Sequence, residues 1–162
     1  MKMRRFVVAL GGLAAVLFVG PMVQAVQQDQ NGFVRVTPDQ VKWVNDTDGV
    51  QRATIFGDPT KSGLYVVRIK FPPGVMSRNH HHAEDRYLVV LKGTWYTGIG
   101  SEFAPDKTVP LGVGGTMKHP AGQAHFDGAK NEEVILQITG IGPSTTVRLR
   151  PEEGNFGPSL RR

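Results

Sequence analysis

The sequence contains no cysteine, and this absence removes several kinds of site at once. A chain without cysteine forms no disulfide, offers no thiolate to a metal and has no lipobox cysteine for lipid attachment. Any bound metal ion must therefore be held by nitrogen and oxygen ligands from histidine and carboxylate side chains.

A lysine- or arginine-rich block is also missing from the body of the chain. The formal net charge is +5, and it falls to +2 without the first 25 residues, which carry Lys2, Arg4 and Arg5 and no acidic residue. Proteins that bind nucleic acids usually carry a basic stripe that follows the phosphates. We therefore expect no nucleic-acid partner.

The longest apolar run lies near the N-terminus and is short for a membrane span. It covers 15 residues, 6–20, between a basic start and small residues at Val23 and Ala25. A spanning helix needs ~20 apolar residues, whereas this order of features is typical of a secretory signal. We predict a signal peptide at 1–25 and export to the periplasm, or secondarily secretion, without stable membrane association after cleavage. An uncleaved N-terminal anchor is the alternative.

Helical periodicity is absent from the remaining chain in any segment longer than about ten residues. Many of the 20 glycines and 11 prolines separate short β-branched or aromatic runs, which is typical of β-structure. The candidate strands are 41–44, 52–56, 64–71, 86–91, 94–99, 115–120, 133–139 and 145–150. Regularly spaced short strands predict an all-β sandwich, jelly roll or barrel.

These signals also divide the chain. We expect a mobile leader at 26–40, a single β-domain at 41–150 and a loose, Gly- and Pro-rich tail at 151–162. The stretch 101–110 reads as an irregular loop or one helical turn. Because Gly93 separates two candidate strands, we also predict a tight hairpin there.

The histidines are concentrated in two segments, "NHHHAEDRYLVVLKG" and "PAGQAHFDG". Residues i and i+2 of an extended chain point to the same side, so His80 and His82 can converge while His81 faces away. His125, behind a turn, can add a third imidazole. Three neutral imidazoles are a common ligand set for Zn, Cu, Fe or Ni. Alternatively, the tract is an exposed loop, and we expect the rings of His81 and His119 to be solvated or simply hydrogen-bonded.

The spacing around the histidine tract resembles the first motif of the cupin family. That motif reads Gly, five residues, His-x-His, three or four residues, Glu, six residues, Gly. Here five residues separate Gly74 from His80-His81-His82, three separate His82 from Arg86, and six separate Arg86 from Gly93. Arginine therefore occupies the place of the family's glutamate.

The second segment is similar to the second cupin motif, which reads Gly, five residues, Pro-x-Gly, two residues, His, three residues, Asn. Five residues separate Gly114 from Pro120-Ala121-Gly122, and two separate Gly122 from His125. After three more residues, Ala129 stands in the place of the asparagine. The resemblance covers most of the chain after the signal and looks closest to small, exported bacterial cupins. It implies a cupin-type jelly-roll β-barrel with His80, His82 and His125 binding a divalent metal (Zn, Fe, Ni, Cu or Mn).

Arg86 complicates this assignment because arginine has no lone pair to donate and stays protonated. At ~8 Å and an effective dielectric of ~20, its charge would repel a divalent ion by roughly 4 kcal/mol. Three arrangements are open: Arg86 pairs with Glu84 or Asp85, a slipped strand start turns Asp85 or Glu84 inward as fourth ligand, or Arg86 receives a substrate carboxylate. In a fourth interpretation, Arg86 forms a surface salt bridge and no metal binds.

Two other polar residues are candidates for the pocket. Gln137 lies between Leu136 and Ile138 and would face the interior, and the hydroxyl of Tyr96 could point inward in the same way. Both could equally be ordinary strand residues.

Two classes of function follow from the resemblance. One is a metal-dependent enzyme of oxygenase, isomerase or lyase type acting on a small molecule, an anionic one where Arg86 receives its carboxylate. In it the ion acts as a Lewis acid, activates water or binds O₂. The other is a non-catalytic protein that binds or senses a small molecule or a metal. A homodimer is common among cupins and is expected here only by that resemblance.

Overall fold

The computed structural model describes residues 28–159, so the predicted signal peptide lies outside the described residues. The contacts divide the chain into two units after Arg35. In the first unit, Gln28 and Val34 form an isolated β-bridge and Arg35 pairs with Asp29 at 2.8 Å. Within 28–159, no helix is long and apolar enough to cross a membrane.

The second unit consists of short strands joined by loops and single 3-10 turns, as far as the described residues run. The strands are β1 (Val44–Asn45), β2 (Gln51–Phe56), β3 (Gly63–Phe71), β4 (Val75–His81), β5 (Arg86–Lys92), β6 (Trp95–Ile99), β7 (Val109–Leu111), β8 (Thr116–His119), β9 (His125–Ala129), β10 (Val134–Gly142), β11 (Val147–Arg148) and β12 (Phe156–Pro158). The 3-10 turns are Pro38–Gln40, Thr47–Gly49, Pro105–Lys107 and Pro151–Glu153.

The strands form two antiparallel sheets. The first has the order β1-β2-β3-β10-β5-β8, and the second has the order β11-β4-β9-β6-β7, with β12 also pairing with β4. Strands that follow one another in sequence repeatedly lie in different sheets, as β3, β4 and β5 do. This crossing pattern is that of a jelly roll, so the predicted all-β, cupin-type fold class is confirmed.

The main hydrophobic core lies between the two sheets. Alternate residues of each strand point inward, and Trp95, Tyr65 and Phe71 are fully buried there. A smaller cluster covers the outer face of the first sheet, where Ala53 and Ile55 pack with residues 36–43.

The predicted hairpin at Gly93 is wrong. β5 and β6 lie in different sheets, so Gly93 makes a corner between them. Its φ is +74°, and a Cβ there would lie 2.3 Å from the Glu133 carbonyl oxygen. Glycine is thus required by backbone conformation and by space, for a different connection from the one predicted.

The folded unit is also longer than the predicted domain at 41–150. It begins at Val36, and part of the tail predicted to be loose forms β12, which pairs with β4 and buries Phe156 edge-on against Phe71. The strand predicted at 41–44 is reduced to Val44–Asn45. β4 and β9 were not predicted as strands, because histidines and other polar residues interrupt their apolar alternation.

Candidate metal centre

Two neighbouring strands and the residue after one of them bring three histidines together. His80 in β4 and His125 in β9 are directly opposite each other in the antiparallel register, and opposed residues share one face of a sheet. His82 follows the end of β4. The ring centroids are 4.4 Å apart for His80 and His125, 4.8 Å for His80 and His82, and 5.2 Å for His82 and His125.

Backbone carbonyl groups fix the orientation of all three rings. The Nδ1 atoms of His80, His82 and His125 lie 2.7, 2.8 and 2.9 Å from the carbonyl oxygens of Arg78, Thr145 and Gln123. A carbonyl oxygen only accepts hydrogen bonds, so each Nδ1 is the protonated donor. The lone pair of every neutral ring is therefore on Nε2, and one ligand atom from each ring lies within 4.8 Å of the others.

The site keeps the rings of His80 and His82 neutral. Burial, followed by the neighbouring His125 and His82, lowers the pKa of His80 well below its usual value. Burial, followed by the charge of Arg86, lowers the pKa of His82 to about 3. A metal binds the deprotonated Nε2, so neutral rings at pH 7 are the form that a metal site needs.

The turn of the second motif is bound to the histidine tract. The backbone N–H of Gly122 donates to the His82 carbonyl oxygen at 2.8 Å, and that of Ala121 donates to Asp85 Oδ1 at 2.9 Å. These two bonds join the segments that carry the histidines, which are otherwise distant in sequence. The spacing of the two motifs thus corresponds to one structural unit.

Arg86 adopts the first of the three predicted arrangements. Its Nε donates to Glu84 Oε1 at 2.9 Å, its Nη1 donates to His82 Nε2 at 3.0 Å, and its Nη2 donates to Ser144 Oγ. Both side chains of the Arg86–Glu84 ion pair are about one-tenth exposed. The positive charge at this position is therefore neutralised locally, inside the site.

The slipped strand start does not occur. β5 begins at Arg86, and Asp85 is directed outward, where it pairs with Lys118 at 2.7 Å. Glu84 accepts from the Tyr65 hydroxyl at 2.9 Å in addition to Arg86. Burial opposes its charge, but hydrogen bonds from Ser144 and Arg86 lower its pKa overall. Neither carboxylate belongs to the group of potential metal ligands.

His119 is a candidate ligand that the sequence did not reveal. It was expected to be solvated or simply hydrogen-bonded, but it is buried, its ring centroid lies 3.8 Å from that of His125, and its Nε2 has no hydrogen-bond partner in the described structure. It lies directly opposite Arg86 in the β5–β8 register, so both point to the same side of the sheet. An imidazole therefore stands next to the place of the missing glutamate.

Asp127 supplies a carboxylate at the same site. It lies two residues after His125 on β9, hence on the same face, and is fully buried. His119, His125 and Asp127 form a second group whose ligand atoms lie within 4.8 Å of one another. Burial raises the pKa of Asp127 despite the nearby His125, and Ser77 Oγ donates to its Oδ1 at 3.3 Å.

The two other predicted pocket residues lie elsewhere. Gln137 points to the opposite face of β10 from the buried Leu136 and Ile138 and accepts a hydrogen bond from Arg68 Nε at 3.1 Å. Tyr96 alternates with the buried Trp95 and Thr97, and its ring packs under Lys130 Nζ at 4.5 Å. Strand parity excludes both side chains from the site.

The histidines line a small cavity between the sheets, which we call the histidine cavity. Its volume is about 30 Å³, enough for an ion or one water molecule. A second space of about 310 Å³, the adjoining cavity, shares Arg52, Arg86, Ile138 and Thr146 with it. A third, of about 290 Å³, reaches His119 and His125 from the side of β8 and β9.

The donor set fits a divalent transition metal. Three or four imidazoles and one carboxylate suit Zn, Fe, Ni or Cu, and the carboxylate also suits Mn. The Nε2 atoms of His125 and His119 are buried without a hydrogen-bond partner among the described residues, which is costly unless something binds them. The Nδ1–carbonyl bonds are the outer interactions that metal-ligating histidines normally make.

Solved structures with the same fold support the resemblance found in the sequence. The polyketide cyclase RemF from Streptomyces resistomycificus superposes with a TM-score of 0.60 at 15% identity, over 71% of this chain and 84% of that chain. An RmlC-like cupin from Shewanella frigidimarina gives 0.54 at 18% identity, over 65% and 87%. The DMSP lyase DddQ from Ruegeria pomeroyi gives 0.56 at 18% identity, over 73% and 61%.

No family model and no curated protein matches the sequence itself. At these identities the structural likeness defines the fold and leaves the activity open. The chain therefore has the fold of the cupins, as its two motifs predict.

The depressed histidine pKa values predict acid-sensitive folding of the metal-free protein. Unfolded histidines bind protons below pH ~6.5, whereas folded His82 and His119, the latter with a pKa of about 2 through burial and then His125, do not. The unfolded state therefore binds more protons as the pH falls, and stability decreases by about 1.4 kcal/mol per pH unit for each such histidine.

Urea unfolding of chelator-treated protein between pH 7.5 and 5.5 measures this slope. His119→Gln should remove the contribution of one histidine to this pH dependence. Below pH 6.5, the free energy of unfolding should then change with pH by about 1.4 kcal/mol per unit less than in the unsubstituted protein. Equal slopes for the substituted and unsubstituted proteins would contradict the assignment of His119 as a buried neutral ring.

Proposed function

We propose that this cupin binds one divalent metal ion through His80, His82 and His125 and is a metal-dependent enzyme acting on a small molecule. The observation that carries the proposal is the set of three Nδ1–carbonyl hydrogen bonds, which direct three Nε2 lone pairs to one buried cavity. His119 and Asp127 are the nearest further donors.

The bound ion would supply Lewis acidity to a carbonyl or similar group of the substrate. Around it, Arg86 would release His82 Nε2 and stay paired with Glu84, and the buried Asp127 can hold a proton on its carboxyl group beside His125. A titratable carboxyl group next to the donor set is what proton-transfer chemistry requires. These features support a reaction of isomerase or lyase type. An oxygenase site of two histidines and one carboxylate is also compatible with the donor set, because Asp127 provides the carboxylate.

The enzyme proposal also agrees with the functions of proteins that share the fold. RemF is a polyketide cyclase and DddQ is a DMSP lyase. Because one fold carries many reactions, these examples favour catalysis in general without selecting a reaction. Substrate binding in the adjoining cavity, which reaches the histidine cavity through shared residues, is the arrangement we propose.

A specific observation favours the alternative of a non-catalytic binding protein. Arg86 Nη1 donates a hydrogen bond to the lone pair of His82 Nε2, so this ring has a partner even without a metal. If that bond persists in solution, the site is a polar cluster beneath a ligand pocket, and the protein binds or senses a small molecule. Metal content separates the two functions. A homodimer stays a prediction in both.

Metal content should depend on the histidines. Purified protein is expected to contain about one equivalent of Zn, Fe, Ni, Cu or Mn, and His80→Ala/His82→Ala only traces, because two of the three imidazoles are gone. His81→Gln is the matched control from the same tract and should keep the metal. Elemental analysis measures all three proteins, and trace metal in every one would remove the proposed function in favour of the alternative.

Arg86 should weaken metal binding. His82 Nε2 must leave Arg86 Nη1 to bind the ion, and the guanidinium also repels a divalent charge. We expect Arg86→Gln to bind Zn²⁺ about tenfold more tightly, a gain of about 1.4 kcal/mol, in a competition titration with a chromogenic chelator. Arg68→Gln, a partly buried arginine on the outer face of the first sheet, is the control. Weaker binding by Arg86→Gln would instead show that Arg86 maintains the site structurally.

We also propose that the protein acts in the cell envelope, since its N-terminal sequence is typical of an export signal. The full chain should be recovered from the periplasmic fraction about 25 residues shorter than its gene product, as measured by mass spectrometry. Deletion of residues 2–25 should confine the protein to the cytoplasm. Recovery of the uncleaved chain in the membrane fraction would identify an anchor instead.

A further inference from the structure

Arg86 is poorly placed to receive an anionic ligand, although its position in the motif suggests that role. Its Nε, Nη1 and Nη2 atoms already donate to Glu84, His82 and Ser144, and the residue is 8% exposed. A substrate carboxylate would have to displace Glu84 from a buried ion pair. An anion is therefore more easily bound by another cationic group at the same cavity.

Two other arginines approach the histidine cavity, one from each sheet. Arg52 on β2 lies opposite the core residue Ile69 and so faces inward, and Arg148 on β11 lies opposite His80. Both line the histidine cavity, and Arg52 also lines the adjoining cavity. Burial and, after it, the charge of Arg52 lower the pKa of Arg148. The two cations therefore repel each other at the histidine cavity.

Carboxylates compensate these charges incompletely. Asp46 pairs with Arg52 at 2.8 Å, but the hydrogen bonds of Arg148 Nη1 go to uncharged carbonyl oxygens, at 3.0 Å for Asn155 and 3.5 Å for Arg78. Within 28–159, no Asp or Glu lines the adjoining cavity. The half-buried guanidinium of Arg148 thus makes no ion pair among the described residues, although the charges of Asp46 and Asp127 favour its own, and it lies beside a site proposed to hold a divalent cation.

The adjoining cavity has room for the body of a small ligand. Its volume of about 310 Å³ is near the lower end for small-molecule sites. Val44, Val67 and Ile138 give it apolar walls, whereas Thr54 and Ser144 contribute hydroxyl groups. Its charged residues are Arg52 and Arg86, which also line the histidine cavity, and Arg68, whose Nε donates to Gln137.

We propose that Arg52 and Arg148 together bind the carboxylate of a small organic acid whose apolar body occupies the adjoining cavity. Guanidinium groups are suited to carboxylates because they donate two parallel, charge-assisted hydrogen bonds. This proposal names the substrate class for the proposed function and rests on it for the reaction. The binding step itself needs only the two arginines, so it can be tested without metal.

The probes are 3-phenylpropionate and its uncharged analogue 3-phenylpropanamide, which differ only in the carboxylate. Isothermal titration calorimetry is done on chelator-treated His80→Ala/His82→Ala protein, so that no ion can bind the carboxylate, and on the unsubstituted protein. We expect the acid to bind at least about tenfold more tightly than the amide in both. Arg52→Gln and Arg148→Gln should each abolish most of that preference.

Arg150→Gln is the matched control, because Arg150 is exposed and pairs with Glu153 at 3.2 Å away from both cavities. Arg148 is half-buried, so thermal melting checks the fold of each variant, and the more exposed Arg52 gives an independent result if Arg148→Gln unfolds. Equal affinities for acid and amide, no measurable binding of either, or an unchanged preference in Arg52→Gln would overturn the proposal.

The two proposals can fail separately. Selective binding of the acid by a protein that never contains metal would leave the arginine site standing and remove the metal-dependent function. Stoichiometric metal together with equal affinity for acid and amide would do the reverse.

Discussion

The site depends on one repeated interaction, the hydrogen bond from a histidine Nδ1 to a backbone carbonyl oxygen. Three such bonds fix the orientation of His80, His82 and His125, and the carbonyl groups belong to rigid strands or their adjoining loops. Each bond also determines the tautomer, because the carbonyl can only accept. Backbone geometry thus decides where the Nε2 lone pairs point, and the jelly roll is needed to hold three distant carbonyl groups around one cavity.

Arg86 stands where the cupin motif has glutamate, which changes the charge of the site. The residues around Arg86 compensate for this change. Glu84 neutralises the guanidinium inside the protein, and its second partner, the Tyr65 hydroxyl, comes from the core. Other potential metal ligands lie near position 86: His119 opposite Arg86 on the adjacent β8, and Asp127 beside His125 on β9 of the other sheet. A carboxylate and an imidazole are therefore still within reach of the ion.

The sequence predicted the parts of this site that depend on local geometry or on the motif pattern. Strand parity alone brought His80 and His82 to one side, and the cupin pattern added His125. His119 could not be predicted, because its burial follows from a register with Arg86 that only the folded sheets define. Asp127 could have been found, since it is two residues from His125. For Gln137 the alternation already gave the answer: Val134, Leu136 and Ile138 form a wholly apolar face of β10, and Gln137 shares the other face with Thr139.

The charges around the histidine cavity would couple the binding of a metal to the binding of an anionic ligand. A divalent ion on neutral imidazoles would add two positive charges next to Arg52, Arg86 and Arg148, against Asp46 and Glu84 as ionised partners. Burial raises the pKa of Asp127, so its negative charge is disfavoured at this position. Each positive charge at the cavity therefore favours the binding of an anion and disfavours the binding of a further cation. Metal and carboxylate should consequently favour each other's binding, because each supplies the charge that the other lacks.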